Sequence, residues 1–144
     1  MNELLLKLLP REDAHPALFQ AYAEAVHALA IGEPSQASLR RFEKTLLREL
    51  GYGLTLDREA DSSRPVDPQK RYAYVVERGP VLLGGNVREA ESFSGRALLA
   101  IEQDDFSDAE TLAQCKQLMR TLIQHYLGGQ RLSSRRVFME LQEL

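Results

Sequence analysis

The sequence lacks the features on which several classes of protein depend. Its 144 residues include one cysteine and no tryptophan, and a single cysteine excludes an internal disulfide and a cysteine-rich zinc site. A membrane-spanning helix needs about 20 apolar residues, whereas the apolar start, residues 1–10, is far shorter. That start also lacks the basic region and the cleavage site of a signal peptide. We therefore expect a cytoplasmic protein with no membrane association.

Motifs that would predict an enzyme are also missing. No glycine-rich loop precedes the lysine of a phosphate-binding site, and no Gly-x-Ser-x-Gly segment is present. The three histidines are widely separated, and none neighbours Cys115 at the spacing of a metal site. We expect His27 to be packed on its helix, His125 to be solvated or half-buried, and Cys115 to be a buried, unreactive thiol. No catalytic residue, metal ligand or cofactor is predicted.

The charge is nearly balanced. Lysine and arginine number 18, aspartate and glutamate number 21, and the formal net charge is −3. A long-range attraction of the whole molecule to DNA is therefore not expected, and any anion-binding site must be a local patch. Apolar residues make up 44% of the chain, which is enough for one domain with its own core.

Apolar residues at three- and four-residue spacings predict a mainly α-helical, bundle-like single domain over residues 1–144. Prolines and glycines mark the breaks between successive helices. Ser107 and Glu110 have the spacing of a capping box at the start of the longest helix. The predicted helices begin at or just after Asn2, His15, Ser35, Ser94, Ser107 and Ser133 or Ser134.

A small β-hairpin is predicted between the third helix and the C-terminal helices. Residues 72–76 alternate in the manner of a strand, residues 77–80 form a turn, and residues 81–83 form the return strand. Residues 58–71 are charged, contain two prolines and have no apolar period, so they predict a surface loop. A two-stranded hairpin is marginally stable alone, and we expect this one to lie against the helices.

The third predicted helix carries two different faces. One face is an apolar stripe that belongs in a core, formed by Leu39, Phe42, Leu46 and Leu50. The other face is basic and consists of Arg40, Arg41, Lys44 and Arg48. A solvated face, partly paired with Glu43 and Glu49, is the simplest interpretation of these charges. Arginine nonetheless suits carboxylate or phosphate recognition, because its planar guanidinium can bond two oxygens at once.

A second basic cluster lies near the C-terminus. Arg131, Arg135 and Arg136 flank the predicted start of the last helix, where free amides and the helix dipole favour an anion. A DNA phosphate or an acidic peptide would fit there, and simple solvation of these side chains is the alternative.

Several motifs together resemble the RecO family of DNA recombination and repair proteins. They are Asn2-Glu3-Leu4-Leu5, Arg41-Phe42-Glu43 with Leu46-Leu47, Leu50-Gly51-Tyr52-Gly53-Leu54, Ser94-Gly95-Arg96-Ala97-Leu98, and the run from Tyr126 through Gly128-Gly129 to Arg135. They occur in the family's order over essentially the whole chain. The resemblance implies that residues 1–144 correspond to the C-terminal helical domain, without the N-terminal OB-fold domain that binds DNA in this family.

The resemblance also bears on metal binding. Many RecO proteins carry four zinc-binding cysteines after the Gly-Tyr-Gly motif, whereas residues 57–76 contain none. The chain is therefore similar to the zinc-free proteobacterial type, and no cofactor is implied.

The resemblance implies a mediator of homologous recombination in the RecF pathway rather than an enzyme. Proteins of this family bind the single-stranded DNA-binding protein SSB, partner RecR, anneal complementary strands and help RecA load. The implied partners are the SSB tail, RecR and, mainly through the missing OB-fold domain, single-stranded DNA. The implied location is the cytoplasm, with association to the nucleoid during repair.

The family's helical domain receives the acidic C-terminal tail of SSB, which ends in an apolar residue and a free carboxylate. Such a tail suits basic side chains beside an apolar groove. We therefore predict that it docks on the third helix, and we rank Arg40 first because it lies off the core stripe. The predicted site consists of Arg40, Arg41, Lys44, Arg48, Leu39 and Leu47.

Two other functions remain open. One is an autonomous single-stranded DNA-binding module that uses Arg131, Arg135 and Arg136 with the first cluster, although the net charge of −3 argues against strong binding. The other is an unrelated small enzyme, for which the sequence offers no nucleophile, acid–base pair or metal-ligand set.

Overall fold

The structure is a computed structural model, and it describes residues 1–8, 15–32, 35–84 and 92–128. In these ranges the chain forms five α-helices and one small antiparallel sheet. The mainly helical prediction, with a β-element between the third helix and the later helices, is therefore confirmed. The elements are α1 (Asn2–Leu8), α2 (Pro16–Ala30), α3 (Ser35–Glu49), β1 (Arg71–Val75), β2 (Gly79–Leu82), β3 (Phe93–Ser94), α4 (Gly95–Glu102) and α5 (Ala109–Tyr126).

Local signals in the sequence account for two of the helix starts. Pro16 is the first residue of α2, where its fixed φ suits the helix and its missing N–H costs nothing. The Ser94 hydroxyl accepts a hydrogen bond from the Ala97 amide at 3.2 Å and caps α4. The prediction that Ser94 begins this helix is confirmed.

The predicted capping box at the start of α5 is wrong. Asp108, not Ser107, is the N-cap, and its carboxylate accepts a hydrogen bond from the Thr111 amide at 3.0 Å. The Ser107 hydroxyl instead donates to Asp105 Oδ1 at 2.7 Å. A carboxylate is a stronger acceptor than a hydroxyl, and its charge also complements the positive end of the helix dipole.

The Gly-Tyr-Gly segment ends α3 and joins it to the end of α5. Gly51 has a φ of 84°, which glycine adopts without steric cost. The amides of Gly51 and Tyr52 donate to the carbonyls of Arg48 and Leu47 at 3.0 and 2.9 Å, the pattern of a Schellman motif. The turn places the Tyr52 ring on the ring of Tyr126, with 3.7 Å between centroids. The two helix ends are thereby held together.

The core lies where α3 packs between α2 and α5. Phe42 and Leu46 have no solvent exposure, as predicted, and Leu39 and Leu50 are partly buried at the margin. From the other side, α5 contributes Cys115, Leu118, Met119, Leu122 and Ile123. The predicted burial of Cys115 is confirmed, and it raises the pKa of the thiol to about 12, so the thiol is protonated and unreactive at neutral pH.

The sheet has the strand order β2-β1-β3 and is antiparallel throughout. The predicted hairpin is confirmed, with Tyr72 opposite Leu82 and Val75 opposite Gly79. The third strand, β3, has no counterpart in the prediction. Two residues carry no alternation, and this segment becomes a strand only by pairing with β1.

Tyr72 and Gly95 fix the loop that precedes the sheet. The Tyr72 side chain has no exposure, and its hydroxyl accepts a hydrogen bond from the Asp67 amide at 2.9 Å and donates to Glu59 Oε1 at 3.3 Å. A Cβ at position 95 would overlap the Asp67 carbonyl oxygen. Glycine therefore lets the loop cross the start of α4 at close range.

α2 forms as predicted, but only one side of it is covered. Leu18 and Ala25 are buried, whereas Phe19 is 74% exposed and Leu29 is 54% exposed. His27 is also exposed, so the prediction of a packed position for it is wrong. The reason is that α3 covers α2 from one direction, and His27 lies away from that contact.

Part of the prediction concerns residues outside the described ranges. The last predicted helix, from Ser133 or Ser134, belongs to this part of the chain, as does the basic cluster of Arg131, Arg135 and Arg136. Within the described ranges, every helix is too short or too polar to cross a membrane.

Candidate partner-binding surface

The predicted basic face of α3 lies beside the C-terminal end of α4. The structure engages three of its side chains in contacts within the domain and leaves the fourth open to solvent. We call this face the α3 basic surface, and it comprises Arg40, Arg41, Lys44 and Arg48.

Lys44 caps the end of α4. Its Nζ donates to the carbonyl oxygens of Ile101 and Glu102, both at 2.7 Å, and to Asp104 Oδ1 at 3.0 Å. The last carbonyls of a helix have no partner within the helix and carry a partial negative charge. Lys44 therefore supplies hydrogen-bond donors to the last carbonyls of α4 and holds α3 against this helix. Its side chain is only 16% exposed.

Arg41 lies on the surface above the loop that follows α4. Its guanidinium carbon is 5.6 Å from the centroid of the Phe106 ring, and one guanidinium nitrogen is 3.4 Å from the Asp104 carbonyl oxygen. The ring contact is a cation–π interaction. Arg41 remains exposed, and a guanidinium has five N–H donors. With respect to the described residues, most of these donors are therefore free to bind an anion.

Arg40 forms a buried ion pair with Glu43. Arg40 Nη1 is 2.7 Å from Glu43 Oε2, and the two side chains are 10% and 11% exposed. The predicted position of Arg40 on the open face is therefore wrong. Arg40 is two helical turns before Leu47, which has no exposure, so both lie on the side of α3 that the rest of the domain covers.

The ion pair strongly affects the titration of Glu43. Burial raises the pKa of Glu43 from 4.5 to about 7, and the nearby charges of Arg40 and of the Met1 α-ammonium lower it only in part. The contact is close but poorly aligned, since Glu43 Oε2 is buried and has no hydrogen-bond partner among the described residues. The pair therefore holds a carboxylate that is near its titration point at neutral pH.

Arg48 is the open member of the surface. It lies in the last turn of α3 and is exposed. Within the described ranges its side chain forms no ion pair or hydrogen bond. An exposed, unpaired arginine keeps its whole planar fork available to a carboxylate or phosphate.

The two predicted apolar residues have different positions. Leu47 has no exposure and belongs to the core, whereas Leu39 is partly buried and reaches the margin of the helix. Leu47 therefore offers no accessible surface, and its predicted place at the edge of the basic face is wrong. Leu39 keeps an accessible edge close to Arg40 in the sequence.

An apolar cleft lies between α1 and α2, and sequence reasoning did not identify it. Its volume is about 500 Å³, and Leu6 and Phe19 on its walls are 78% and 74% exposed. His15 on the rim contacts the end of α3, with its Nδ1 3.4 Å from Glu49 Oε2. A signal was present in the leucines of the first helix, which exceed what a single face can bury. The cleft is lined by Asn2, Leu5, Leu6, His15, Leu18, Phe19 and Tyr22.

The sequence matches the protein family described as "Recombination protein O C terminal" over residues 1–136. The chain belongs to this RecO family. DNA repair protein RecO of Aromatoleum aromaticum is 59% identical over 144 residues, that of Azoarcus sp. (strain BH72) is 51% identical over 147, and that of Dechloromonas aromatica is 46% identical over 147. Each alignment covers 100% of this chain and 60% of the relative. The chain therefore spans about three fifths of the length of these relatives.

The RecO match confirms the resemblance that the motifs indicated. The matched residues, 1–136, include all five described helices and the sheet. The α3 basic surface, the buried Arg40–Glu43 pair and the cleft between α1 and α2 are therefore all features of a RecO C-terminal domain.

Proposed function

We propose that this RecO domain acts in DNA repair and recombination as a protein-interaction module that docks the acidic C-terminal tail of SSB on the α3 basic surface. In this role it has no catalytic activity of its own and supports RecR binding, strand annealing and RecA loading at the nucleoid. The names of its relatives, which are DNA repair proteins, support the repair role.

The observation that carries the proposal is the pair of exposed arginines on α3. Arg41 and Arg48 are both exposed and are separated by two helical turns, which is about 10 Å along the axis. An extended peptide advances about 3.3 Å per residue, so roughly three residues of an acidic tail cover this distance. Lys44 lies between the two arginines and holds α3 in place. Each guanidinium then faces a carboxylate of the tail.

We place the C-terminal end of the tail at the N-terminal end of the α3 basic surface. Arg40 keeps a small exposed edge, and its guanidinium receives the terminal carboxylate in this proposal. Leu39 precedes it and is partly buried at the edge of the core, which offers an apolar contact to the last side chain of the tail. Several charged contacts on one rim also predict binding that weakens with salt.

Charge reversal at the open arginine tests the proposal. In calorimetric titration with an acidic tail peptide, the chain should bind in the micromolar range, and Arg48→Glu should weaken binding about tenfold. Arg78→Glu is the matched control, because Arg78 is exposed on the β1–β2 turn and its reversal changes the net charge equally. Equal weakening by both variants, or no binding by the unaltered chain at low salt, would overturn the proposal.

A titration of the same chain with single-stranded DNA distinguishes this function from autonomous DNA binding. Its net charge of −3 predicts weak binding to single-stranded DNA. Gel-shift titration measures this directly: tight, strongly salt-dependent binding by the chain alone would favour a DNA-binding module and count against the peptide site.

A further inference from the structure

Glu43 already holds the guanidinium that an incoming carboxylate would need. We infer that Glu43 is an internal competitor: it occupies Arg40 in the free domain and takes up a proton when an acidic peptide with a free C-terminal carboxylate binds there. This inference rests on the proposed function, because it concerns the same arginine. It adds a residue that sets affinity and makes binding depend on pH.

The geometry brings the two carboxylates to the same guanidinium. Arg40 and Glu43 lie one turn apart on α3, with 2.7 Å between Nη1 and Oε2 and about nine tenths of each side chain covered. A second carboxylate that reaches Arg40 must lie close to the first. Two ionised carboxylates that share one site cannot both stay charged without a strong repulsion, so the proton affinity of one of them rises.

The surroundings of Glu43 offer little other compensation. Among the residues that the structure describes, the charged or titratable groups that face it are Arg40 on its own helix, the α-ammonium of Met1 from α1 and the thiol of Cys115 from α5. The thiol is neutral, because burial raises the pKa of Cys115 to about 12. Lys44 is adjacent in sequence, but its ammonium is held by the carbonyls at the end of α4. Once a carboxylate of the peptide pairs with Arg40, the negative charge of the buried Glu43 carboxylate is left largely without a compensating positive charge.

Protonation is the least costly response. Burial already raises the pKa of Glu43 to about 7 while Arg40 is paired with it, and a bound carboxylate raises it further. Above neutral pH the free domain carries an ionised Glu43 and the complex carries a neutral one. Affinity should therefore fall as pH rises above 7, by at most about tenfold per pH unit for one proton.

Calorimetry in two buffers measures the proton directly. The probe is a synthetic peptide of aspartates ending in phenylalanine with a free carboxylate, titrated into the 144-residue chain. Near pH 7.5, phosphate and Tris differ in ionisation enthalpy, so proton uptake appears as a buffer-dependent heat of binding. We expect uptake of up to about one proton per peptide. The same peptide with a C-terminal amide should show no uptake at this site.

Two variants assign the proton to its source. Glu43→Gln should abolish the uptake and bind about tenfold more tightly than the unaltered chain near pH 8. Glu24→Gln removes the same unit of charge from an exposed position on α2, so it should change neither the uptake nor its pH dependence. Uptake that persists in Glu43→Gln would assign the proton to another group and overturn the inference.

The outcomes separate the inference from the function on which it rests. Peptide binding by the unaltered chain without proton uptake refutes the competitor role and leaves the docking site standing. Binding by neither the unaltered chain nor Glu43→Gln refutes the docking site itself. Binding only by Glu43→Gln supports the inference, because the internal carboxylate then outcompetes the peptide. The two-buffer measurement needs no variant. Even where Glu43→Gln folds poorly, absence of proton uptake by the unaltered chain refutes the inference, and uptake that requires the free C-terminal carboxylate of the peptide supports it.

Discussion

Helices α2 and α3 are both 15 residues long and pack against each other, yet their side chains have opposite surroundings. α2 leaves the apolar Phe19, Val26 and Leu29 exposed, while α3 has its charged Arg40 and Glu43 buried. α3 has α2 on one side and α5 on the other, whereas α2 packs mainly against α3. The number of packing neighbours, and not the polarity of the residue, decides exposure at these positions.

The same contrast separates the two candidate surfaces. The α3 basic surface is charged and partly used to hold α4 in place, so a partner there must compete with internal contacts. The cleft between α1 and α2 is apolar, and within the described part of the chain its exposed Leu6 and Phe19 have no such competition. Binding of a partner to the α3 basic surface should depend on salt and pH, whereas binding of a partner to the apolar cleft should not.

Truncation of one leucine on α3 and one on α2 tests the comparison between these two helices. Of the changes considered, it has the largest expected effect on the free energy of unfolding. Leu46→Ala on α3 removes a side chain with no exposure, and we expect the free energy of unfolding to fall by roughly 3 kcal/mol. Leu29→Ala on α2 removes the same atoms from a side chain that is 54% exposed, and we expect a loss below about 0.5 kcal/mol. Urea denaturation of both variants gives the two values. Similar losses would mean that α2 is as well covered as α3.

The pH dependence of stability sharpens the contrast at the buried charge. The folded domain binds the Glu43 proton more tightly than the unfolded chain does, because burial raises the pKa of Glu43 from 4.5 to about 7. This contribution is fully present below about pH 4.5 and is lost as the pH rises through 7. The loss amounts to at most roughly 3 kcal/mol.

Glu43→Gln isolates this contribution, because glutamine does not titrate. The stability of the unaltered chain relative to Glu43→Gln should decline from about pH 5 to about pH 8, measured by urea denaturation at each pH. Other carboxylates titrate alike in both proteins and cancel in the difference. A difference that stays constant over this range would show that Glu43 is ionised throughout.

Neutralising one basic residue at a time gives the smallest effect. Lys44→Met removes the charged hydrogen bonds to the end of α4, and we expect a loss of about 2 kcal/mol. Arg48→Met removes an exposed charge of the same sign from the same helix, so its effect on unfolding should be within about 0.5 kcal/mol. Thermal unfolding compares the two. An equal effect would mean that Lys44 acts as an ordinary surface charge.

Much of the fold could be predicted because its signals are local. The three- and four-residue spacing along the stripe of Leu39, Phe42, Leu46 and Leu50 predicts α3. Gly51 predicts the end of this helix, and both signals depend on neighbouring residues along one helix. The predicted capping box at Ser107 is wrong because two neighbouring residues carry the same local signal. Ser107 and Asp108 are both suitable caps, and their order in the sequence does not say which one the helix selects.

The candidate site was predicted less completely, because exposure depends on distant residues. The basic character of α3 is evident in the sequence, and Arg41 and Arg48 are exposed as expected, although Arg41 also contacts Phe106 and Asp104. Arg40 and Lys44 are equally basic, but the fold covers both of them: Arg40 pairs with Glu43, and Lys44 binds the carbonyl oxygens at the end of α4. Nothing near Lys44 in the sequence indicates that its partners are carbonyls more than 50 residues away. The cleft between α1 and α2 was missed because it exists only where two helices meet.

The sequence by itself determined the five described helices, the hairpin, the membership of the RecO family and the presence of four cations on one helix, because these follow from residue type and spacing. Only the tertiary structure decided what those cations do. Packing of α4 and α5 against α3 uses Lys44 as a cap and buries Arg40 with Glu43, and it leaves Arg41 and Arg48 to the solvent. The physical reason is that a charge acquires its role from the oxygen atoms and the water around it, and those are assembled by contacts between distant parts of the chain.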